Sequence, residues 1–202
     1  MRLHPGDIAE VKSAEEILQT LDADGTLERL PFMPEMTEFC GRRFQVSKRV
    51  VKTCYYTKGG SAGMRKFEAD DVVLLDGLRC SGVAHDGCQK ACKIVWREGW
   101  LRRVAAGIPF NTVSAPENQP RAGSAAVERL QTRLKTMSGP KTYFCQASEI
   151  LNATQDLSRW ERFGKCFSEV RAGPINPRRL EICTCTPESG WKSNRWKASV
   201  KP

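Results

Sequence analysis

The stretch GLRCSGVAHDGCQKACKIVW, residues 77–96, constrains the fold of this chain more than any other part of it. Cys80, His85, Cys88 and Cys92 lie within thirteen positions, whereas the other six of the nine cysteines are widely spread. The residues between them are mostly polar, which fits poorly with cysteines that are simply buried in a hydrophobic core. Thiolates and an imidazole at such short spacings let one loop wrap a metal, so the stretch predicts a metal site.

A residue distant in sequence can complete the ligand shell. Cys54 is the first candidate, followed by Cys40 and Cys145. Zn²⁺ takes four Cys or His ligands tetrahedrally, and iron–sulfur clusters are held by cysteines. The C-x3-C spacing of Cys88 and Cys92 is looser than the C-x2-C of many zinc sites, which favours an iron–sulfur cluster over Zn²⁺. The predicted metal ligands are Cys54, Cys80, His85, Cys88 and Cys92.

The compartment decides how nine cysteines are interpreted. No apolar run approaches the roughly 20 residues of a membrane span, and MRLHPGDIAEVKS has no apolar segment typical of a secretory signal. We therefore expect a cytoplasmic protein without a membrane partner, where thiols stay reduced and clustered cysteines indicate metal or redox chemistry. The pair Cys183 and Cys185 is compatible with a metal site, a disulfide or a buried strand, and the pattern does not choose among them.

Short strands and one capped helix predict an α+β fold. Ser13 and Glu16 form a capping-box pattern before the helical run AEEILQTL, and Pro34 suits the first turn of a short helix. Residues 42–56 and 65–80 are rich in β-branched and aromatic residues, and each segment predicts one long strand. Together with the Pro-Gly-Asp entry, these elements predict a small, strongly curved SH3-like sheet or barrel.

The breaker-rich segment TVSAPENQPRAGSA predicts a linker. We expect an SH3-like β domain with the metal loop over 1–104 and a linker over 105–125. A smaller helical or irregular region over 126–187 would open with the amphipathic helix AAVERLQTRLKTM. A basic tail would occupy 188–202.

The net charge of +9 is distributed unevenly. Residues 1–40 hold nine acidic and three basic side chains, whereas residues 41–66 hold eight basic and no acidic ones. Neutralisation of one segment by the other across a sheet is the simpler interpretation. The alternative is a nucleic-acid or acidic-partner binding surface along residues 42–66, where aromatic side chains alternate with cations.

Several quoted motifs occur together in one order. HPGDIAEV, EEILQTLDADG, LPFMPEM, CGRRF, KTC, GLRC, HDGCQKAC, WLRRV and YFCQASE resemble the pattern of a family of uncharacterised, cysteine-rich bacterial proteins. The resemblance is close over residues 2–104 and looser over 141–176. It implies a cytoplasmic cysteine-rich protein and no particular activity. The family's cysteine positions correspond to Cys40, Cys54, Cys80, Cys88, Cys92 and Cys145.

The sequence therefore predicts a metal-binding protein, with iron–sulfur or zinc, that assists a metabolic or biosynthetic enzyme, with a partner protein possible. A thiol-dependent enzyme is a further alternative, but a nucleophilic cysteine needs a nearby base and the chain has only two histidines, His4 and His85. No Gly-rich phosphate loop or HExxH motif occurs. The residue pattern does not decide whether the chain is an enzyme, and it gives no catalytic residue, substrate or oligomeric state.

Overall fold

A computed structural model describes residues 2–56, 62–104, 125–158 and 161. The chain divides into two compact units, Met1–Leu157 and Ser158–Pro202. In the second unit the described residues are Ser158 and Glu161, and the side chain of each accepts a hydrogen bond from the backbone N–H of the other, at 3.3 and 2.9 Å. The elements and the site described below all lie in the first unit.

The described residues of the first unit form two α-helices, three 3-10 helices and twelve strands. The helices are α1 (Ala14–Thr20), α2 (Ala125–Arg133) and the 3-10 helices Pro34–Phe39, Val83–His85 and Glu98–Trp100. The strands are β1 (Ile8–Val11), β2 (Thr26–Leu27), β3 (Leu30–Pro31), β4 (Arg43–Arg49), β5 (Lys52–Tyr56), β6 (Ala62–Phe67), β7 (Val72–Arg79), β8 (Lys93–Arg97), β9 (Leu101–Arg103), β10 (Met137–Gly139), β11 (Thr142–Tyr143) and β12 (Thr154–Asp156).

Five antiparallel strands form a curled half-barrel sheet in the order β8-β7-β4-β1-β9. A second sheet has the order β12-β6-β5, and the pairs β2–β3 and β10–β11 stand alone. This mixture of many strands with few helices confirms the α and β content that the sequence predicts. Within the described ranges, no helix is long and apolar enough to cross a membrane.

The predicted start of α1 is confirmed. The Ser13 hydroxyl accepts from the backbone N–H of Glu16 at 3.3 Å, and the Glu16 carboxylate accepts from the backbone N–H of Ser13 at 3.1 Å. Both bonds satisfy donors that a helix start leaves without intrahelical partners. Ala14 and Ile17 on one face are buried, so the helix is held by its packing as well as by its cap.

The prediction of two long unbroken strands is wrong. The chain leaves the main sheet after β4 and returns to it at β7, so residues 42–56 and 65–80 each contribute two strands that belong to different sheets. Arg49 fixes the crossing point because its guanidinium pairs with Glu98 at 2.5 Å and with Asp70 at 3.3 Å. Strand propensity is continuous through both segments, and it contains no information about the ion pairs that Arg49 makes with distant residues.

The predicted helix over 125–137 ends earlier, at Arg133. Leu134 is buried against the core, and the chain then turns into the β10–β11 hairpin, in which Met137 is exposed. The α2 helix packs on α1, and β12 pairs with β6, so residues 125–157 build on the same core as the N-terminal strands. Except for Ala125, the predicted linker lies outside the described residues, as does the basic tail.

The core centres on two fully buried tryptophans. Phe32 contacts Trp96 and Trp100 edge-on, with ring centroids 6.2 and 5.2 Å away. Such edge-to-face pairs are worth about 0.5–1.5 kcal/mol beyond the area that they bury. Phe32 follows directly on β3, and Trp96 lies on β8, so these contacts hold the chain segment that leads into the 3-10 helix Pro34–Phe39 against the main sheet.

The β2–β3 hairpin carries local backbone strain. Its two central residues, Glu28 and Arg29, have φ angles of 48° and 63°, although neither is glycine. A two-residue hairpin turn of type I′ needs positive φ at both positions, and each costs a residue with a Cβ about 1–2 kcal/mol. The buried Arg97 guanidinium offsets part of this cost, since it donates to the Glu28 carbonyl at 3.1 Å and pairs with its carboxylate at 2.7 Å.

Candidate metal centre

The loop that joins β7 to β8 carries the clustered cysteines and closes on itself at its base. The Cys80 N–H donates to the Cys92 carbonyl at 2.9 Å. Inside the loop, the Gly82 carbonyl accepts from the N–H groups of His85, Gly87 and Cys88 at 2.9, 3.0 and 3.3 Å. Glycine is required at 82, because φ is +76° and a Cβ there would lie 2.1 Å from the Cys88 carbonyl oxygen.

This tight turn places His85 against Glu35, fifty residues earlier in the chain. His85 Nδ1 lies 2.8 Å from Glu35 Oε1, and both side chains are only 3% exposed. The same oxygen accepts from the Ala84 N–H at 3.3 Å and lies 3.7 Å from Cys80 Sγ. Ligand atoms of Glu35, Cys80 and His85 therefore all lie within 4.8 Å of one another.

Glu35 reaches this position because Pro34 starts a 3-10 helix directly after Met33. Proline suits the first helical position, where no backbone donor is needed. A carboxylate in the first turn of a helix normally faces solvent near the free N–H groups, yet Glu35 is buried. Its second oxygen, Oε2, is buried without a hydrogen-bond partner in the described part of the chain. Leaving a buried carboxylate oxygen without a partner is costly, and an ordered water or a bound ion compensates for it.

Residues after β10 cover the imidazole from the other side. The Tyr143 ring contacts the His85 ring edge-on with centroids 5.6 Å apart, and the Phe144 carbonyl lies 3.5 Å from His85 Nε2. The Tyr143 hydroxyl donates to Asp86, and this hydrogen bond raises the pKa of the phenol. The three sides of the site thus come from the 3-10 helix, the β7–β8 loop and the segment around β11.

The Cys80 thiol is protonated near neutral pH when no metal is bound. Burial raises its pKa to about 11, and the charges of Glu35, Cys92 and Cys145 act in the same direction, against a hydrogen bond from the Gly82 backbone. A divalent cation would reverse this balance, because a coordinating thiol loses its proton. Cys80 is therefore an inert thiol in the absence of a metal.

The predicted ligands are placed differently from one another. Cys80 and His85 belong to the compact donor group, whereas Cys88 and Cys92 lie on the same loop with sulfur atoms outside that group. Cys54 lies on β5 in the second sheet, opposite Met64 of β6. All six cysteines in the described ranges are thiols rather than disulfides. Cys166, Cys183 and Cys185 lie outside the described residues.

Glu35 is the donor that the sequence did not reveal. Its position, directly after Pro34, is typical of an ordinary acidic residue in a first helical turn, and nothing nearby marks it as a ligand. Its place beside Cys80 depends on the tertiary fold. The one available signal is its setting in the apolar run LPFMPEM, where a charged side chain is surrounded by residues that become buried.

The basic segment 42–66 is partly neutralised by carboxylates. Arg43 pairs across the sheet with Glu10 at 2.9 Å, and Arg65 pairs with Asp156 at 2.6 Å. Arg42 instead lies over the rings of Phe39 and Phe44, 5.9 and 5.6 Å from their centroids. The Glu10–Arg43 pair is of the kind expected if the acidic and basic segments compensate each other across the sheet.

Comparisons of this chain with models of protein families, with curated proteins and with solved structures find no match, so the donor group stands on its geometry alone.

Proposed function

We propose that this protein binds a metal ion, with Glu35, Cys80 and His85 as the core of the ligand set. The observation that carries the proposal is the buried Glu35 carboxylate, which has one oxygen without a partner and the other beside a thiol and an imidazole. These are three of the side-chain types that bind Zn²⁺. A hydrogen-bonded His–Glu pair without metal is the competing interpretation, but it leaves Oε2 unsatisfied, whereas an ion held by both oxygens of the carboxylate would satisfy Oε2 as well.

The sulfur–oxygen distance suits a tetrahedral ion, whereas the nitrogen–oxygen distance is too short for one. Zn–S of about 2.3 Å and Zn–O of about 2.1 Å place the two ligand atoms about 3.6 Å apart, and Cys80 Sγ lies 3.7 Å from Glu35 Oε1. A Zn–N bond of about 2.0 Å requires about 3.4 Å between nitrogen and oxygen, against 2.8 Å for His85 Nδ1 and Oε1. A shift of the imidazole by about 0.6 Å would lengthen the distance from Nδ1 to Oε1 enough for both atoms to bind one ion.

The mixed donor set favours a single Zn²⁺ ion over an iron–sulfur cluster, which is held mainly by thiolates. The alternative is an iron–sulfur cluster held by Cys80, Cys88, Cys92 and a fourth cysteine, and the test must distinguish it from a single Zn²⁺ ion. Burial of Glu35 and His85 supports a structural ion with a closed shell, because a catalytic ion keeps a position open to water.

The test is metal analysis on the whole chain purified without oxygen. We expect about one zinc per chain and a colourless protein. Glu35→Gln, Cys80→Ser and His85→Gln should each lose most of the zinc, whereas Cys40→Ser, which removes a half-buried thiol from outside the donor group, should retain it. A brown protein with matched iron and sulfide would replace the ion by a cluster. Protein that takes up neither metal would end the proposal.

We further propose, on the sequence pattern alone, that the protein is a cytoplasmic accessory protein with an SH3-like sheet, related to the cysteine-rich bacterial family that its motifs resemble. The nucleic-acid alternative rests on the Arg42 guanidinium, which lies over the rings of Phe39 and Phe44. It predicts binding of a single-stranded oligonucleotide that weakens steeply with salt. Binding that is absent at low salt would remove this alternative.

A further inference from the structure

Gln146 is a buried polar residue whose side chain contacts three separate elements of the fold. It lies shortly after β11 and is 5% exposed. Its Oε1 accepts from the Val95 N–H at 2.9 Å, and its Nε2 donates to the Val95 carbonyl at 2.9 Å. The same nitrogen donates to the Pro31 carbonyl at 3.1 Å and lies 3.6 Å from Met36 Sδ. The amide oxygen and both amide hydrogens are therefore used inside the protein.

Two of these contacts act on the segment that presents Glu35. Pro31 ends β3, and Met36 follows Glu35 in the 3-10 helix. The Met36 sulfur also accepts from the Met33 N–H at 3.3 Å, at the start of that helix, and the Met36 side chain is fully buried. Gln146 thus holds the chain both before and after Glu35.

The contacts with Val95 act on the strand that follows the β7–β8 loop. Val95 lies on β8, the edge of the five-stranded sheet, where an edge strand leaves backbone donors and acceptors without partners. The Gln146 amide supplies a partner for both groups of Val95. The loop is joined to the same strand, because the Cys80 N–H donates to the carbonyl of Cys92, one residue before β8. The position of Cys80 relative to Glu35 therefore depends on how far β8 lies from the 3-10 helix, and Gln146 spans that gap.

The segment that carries Gln146 also reaches His85. Two residues earlier, the Phe144 carbonyl lies 3.5 Å from His85 Nε2, and the Phe144 N–H donates to the Thr136 carbonyl at 2.8 Å. His85 Nδ1, on the other side of the ring, lies 2.8 Å from Glu35. The imidazole therefore lies between the carboxylate and the segment of Gln146, so that one side chain links the elements around all three donors.

We infer that Gln146 is the positioning residue of the metal centre, because its amide sets the separation between the helix of Glu35 and the loop of Cys80 and His85. The inference rests on the proposed metal centre and deepens it. Gln146 acts through the backbone groups and the sulfur that it contacts, and the donor atoms themselves belong to the other three residues. Without the amide, the helix and β8 lose this shared partner, and the donors must be brought together when the ion binds.

Competition for Zn²⁺ against a chelator of known affinity tests the inference on the whole, reduced chain. Gln146→Met keeps a side chain of similar shape without the amide, and we expect it to bind Zn²⁺ about 10-fold more weakly, as for other residues that orient ligands. Co²⁺ bound in place of Zn²⁺ should show altered visible bands, because its coordination geometry is less well fixed. Thr154→Val is the matched control, since Thr154 is also buried and hydrogen-bonded, to Arg65 and Ile150 on the side of β12. It should bind both ions as the wild type does.

A double-mutant cycle checks that Gln146 acts through Glu35. In the Glu35→Gln background the carboxylate is already lost, so Gln146→Met should weaken Zn²⁺ binding by less than about twofold further, whereas independent effects would multiply. Circular dichroism of each metal-free variant checks that it is folded. If Gln146→Met does not fold, Gln146→Asn takes its place, because its amide is one carbon too short to reach both β8 and Pro31.

Three results would count against the inference or the site. Zn²⁺ affinity and Co²⁺ bands that are unchanged in the folded variant, or a loss no larger than that of Thr154→Val, would overturn the inference and leave the metal centre intact. An undiminished effect in the Glu35→Gln background would do the same. A wild-type chain that binds neither ion would overturn both.

Discussion

Gly82 gives the sharpest test of the loop that presents Cys80 and His85. Replacement by alanine places a side chain at φ +76°, which costs about 1–2 kcal/mol for a residue with a Cβ. The new Cβ would also lie 2.1 Å from the Cys88 carbonyl oxygen, well below the 3.0 Å that real Cβ atoms keep. Relief of that contact moves Cys88 away from the turn.

That movement breaks hydrogen bonds. The Gly82 carbonyl accepts three backbone N–H bonds within the loop, and loss of two of them costs about 2 kcal/mol at about 1 kcal/mol each. We therefore expect Gly82→Ala to lower the free energy of unfolding by about 3–4 kcal/mol. Gly87→Ala is the control, because φ is +70° but nothing lies within 4 Å of the new Cβ. It should lose only the conformational cost of about 1–2 kcal/mol.

Urea denaturation of both metal-free variants under reducing conditions measures the difference. The same proteins titrated with Zn²⁺ should bind in the order wild type, Gly87→Ala and Gly82→Ala, because the displaced turn carries His85. Equal destabilisation by the two substitutions would show that the contact with Cys88 does not constrain the loop, and the geometric reasoning would fail.

Three further predictions concern other parts of the fold. Ser13→Ala should lower the free energy of unfolding, measured in urea, by about 1 kcal/mol because it removes the helix cap. The Ser13 N–H lowers the pKa of Glu16, so the stability that this carboxylate contributes should be complete above pH 4.5 and should fade as the pH falls below it. The stabilities of Glu16→Gln and of the wild type should therefore converge in acid. Arg29→Gly should stabilise the protein by about 0.5–1 kcal/mol and so raise its melting temperature, because relief of the strain at a φ of 63° outweighs the conformational entropy that glycine loses on folding. An unchanged or lower melting temperature would contradict this. Because burial raises the pKa of the Cys80 thiol to about 11, metal-free protein treated with hydrogen peroxide near neutral pH should keep Cys80 unoxidised, and peptide mapping that finds Cys80 in a disulfide would contradict this.

Features set by neighbouring residues in the chain are those that the sequence predicts well. The capping box at Ser13 and the short helix after Pro34 depend on hydrogen bonds and φ restrictions over three or four residues, and both are present. The curled antiparallel sheet follows from the alternation of strands and turns. The crossing at Arg49 is different, because its partners Asp70 and Glu98 are 21 and 49 residues away.

The residues of the candidate site also differ in whether neighbouring residues or distant contacts set their positions. Local spacing identifies Cys80 and His85, which a single tight turn brings together. Glu35 joins them through the fold, from 45 residues before Cys80. Cys54 was the more natural distant candidate, since it lies on a predicted strand just before the loop. The break after β4 carries that strand into the other sheet, and propensity gives no sign of the break.

The place of β1 in the sheet has a consequence for how the chain folds. Residues 8–11 lie between β4 and β9, so β1 obtains its second neighbour only when residues 101–103 have been synthesised. Pairings of such long sequence separation slow folding. A nascent chain that ends before Leu101 has a β1 with one open edge, where its backbone groups are free to pair with another molecule. The half-barrel therefore cannot be completed until about half of the 202 residues have been synthesised, and fragments that stop short of β9 should aggregate.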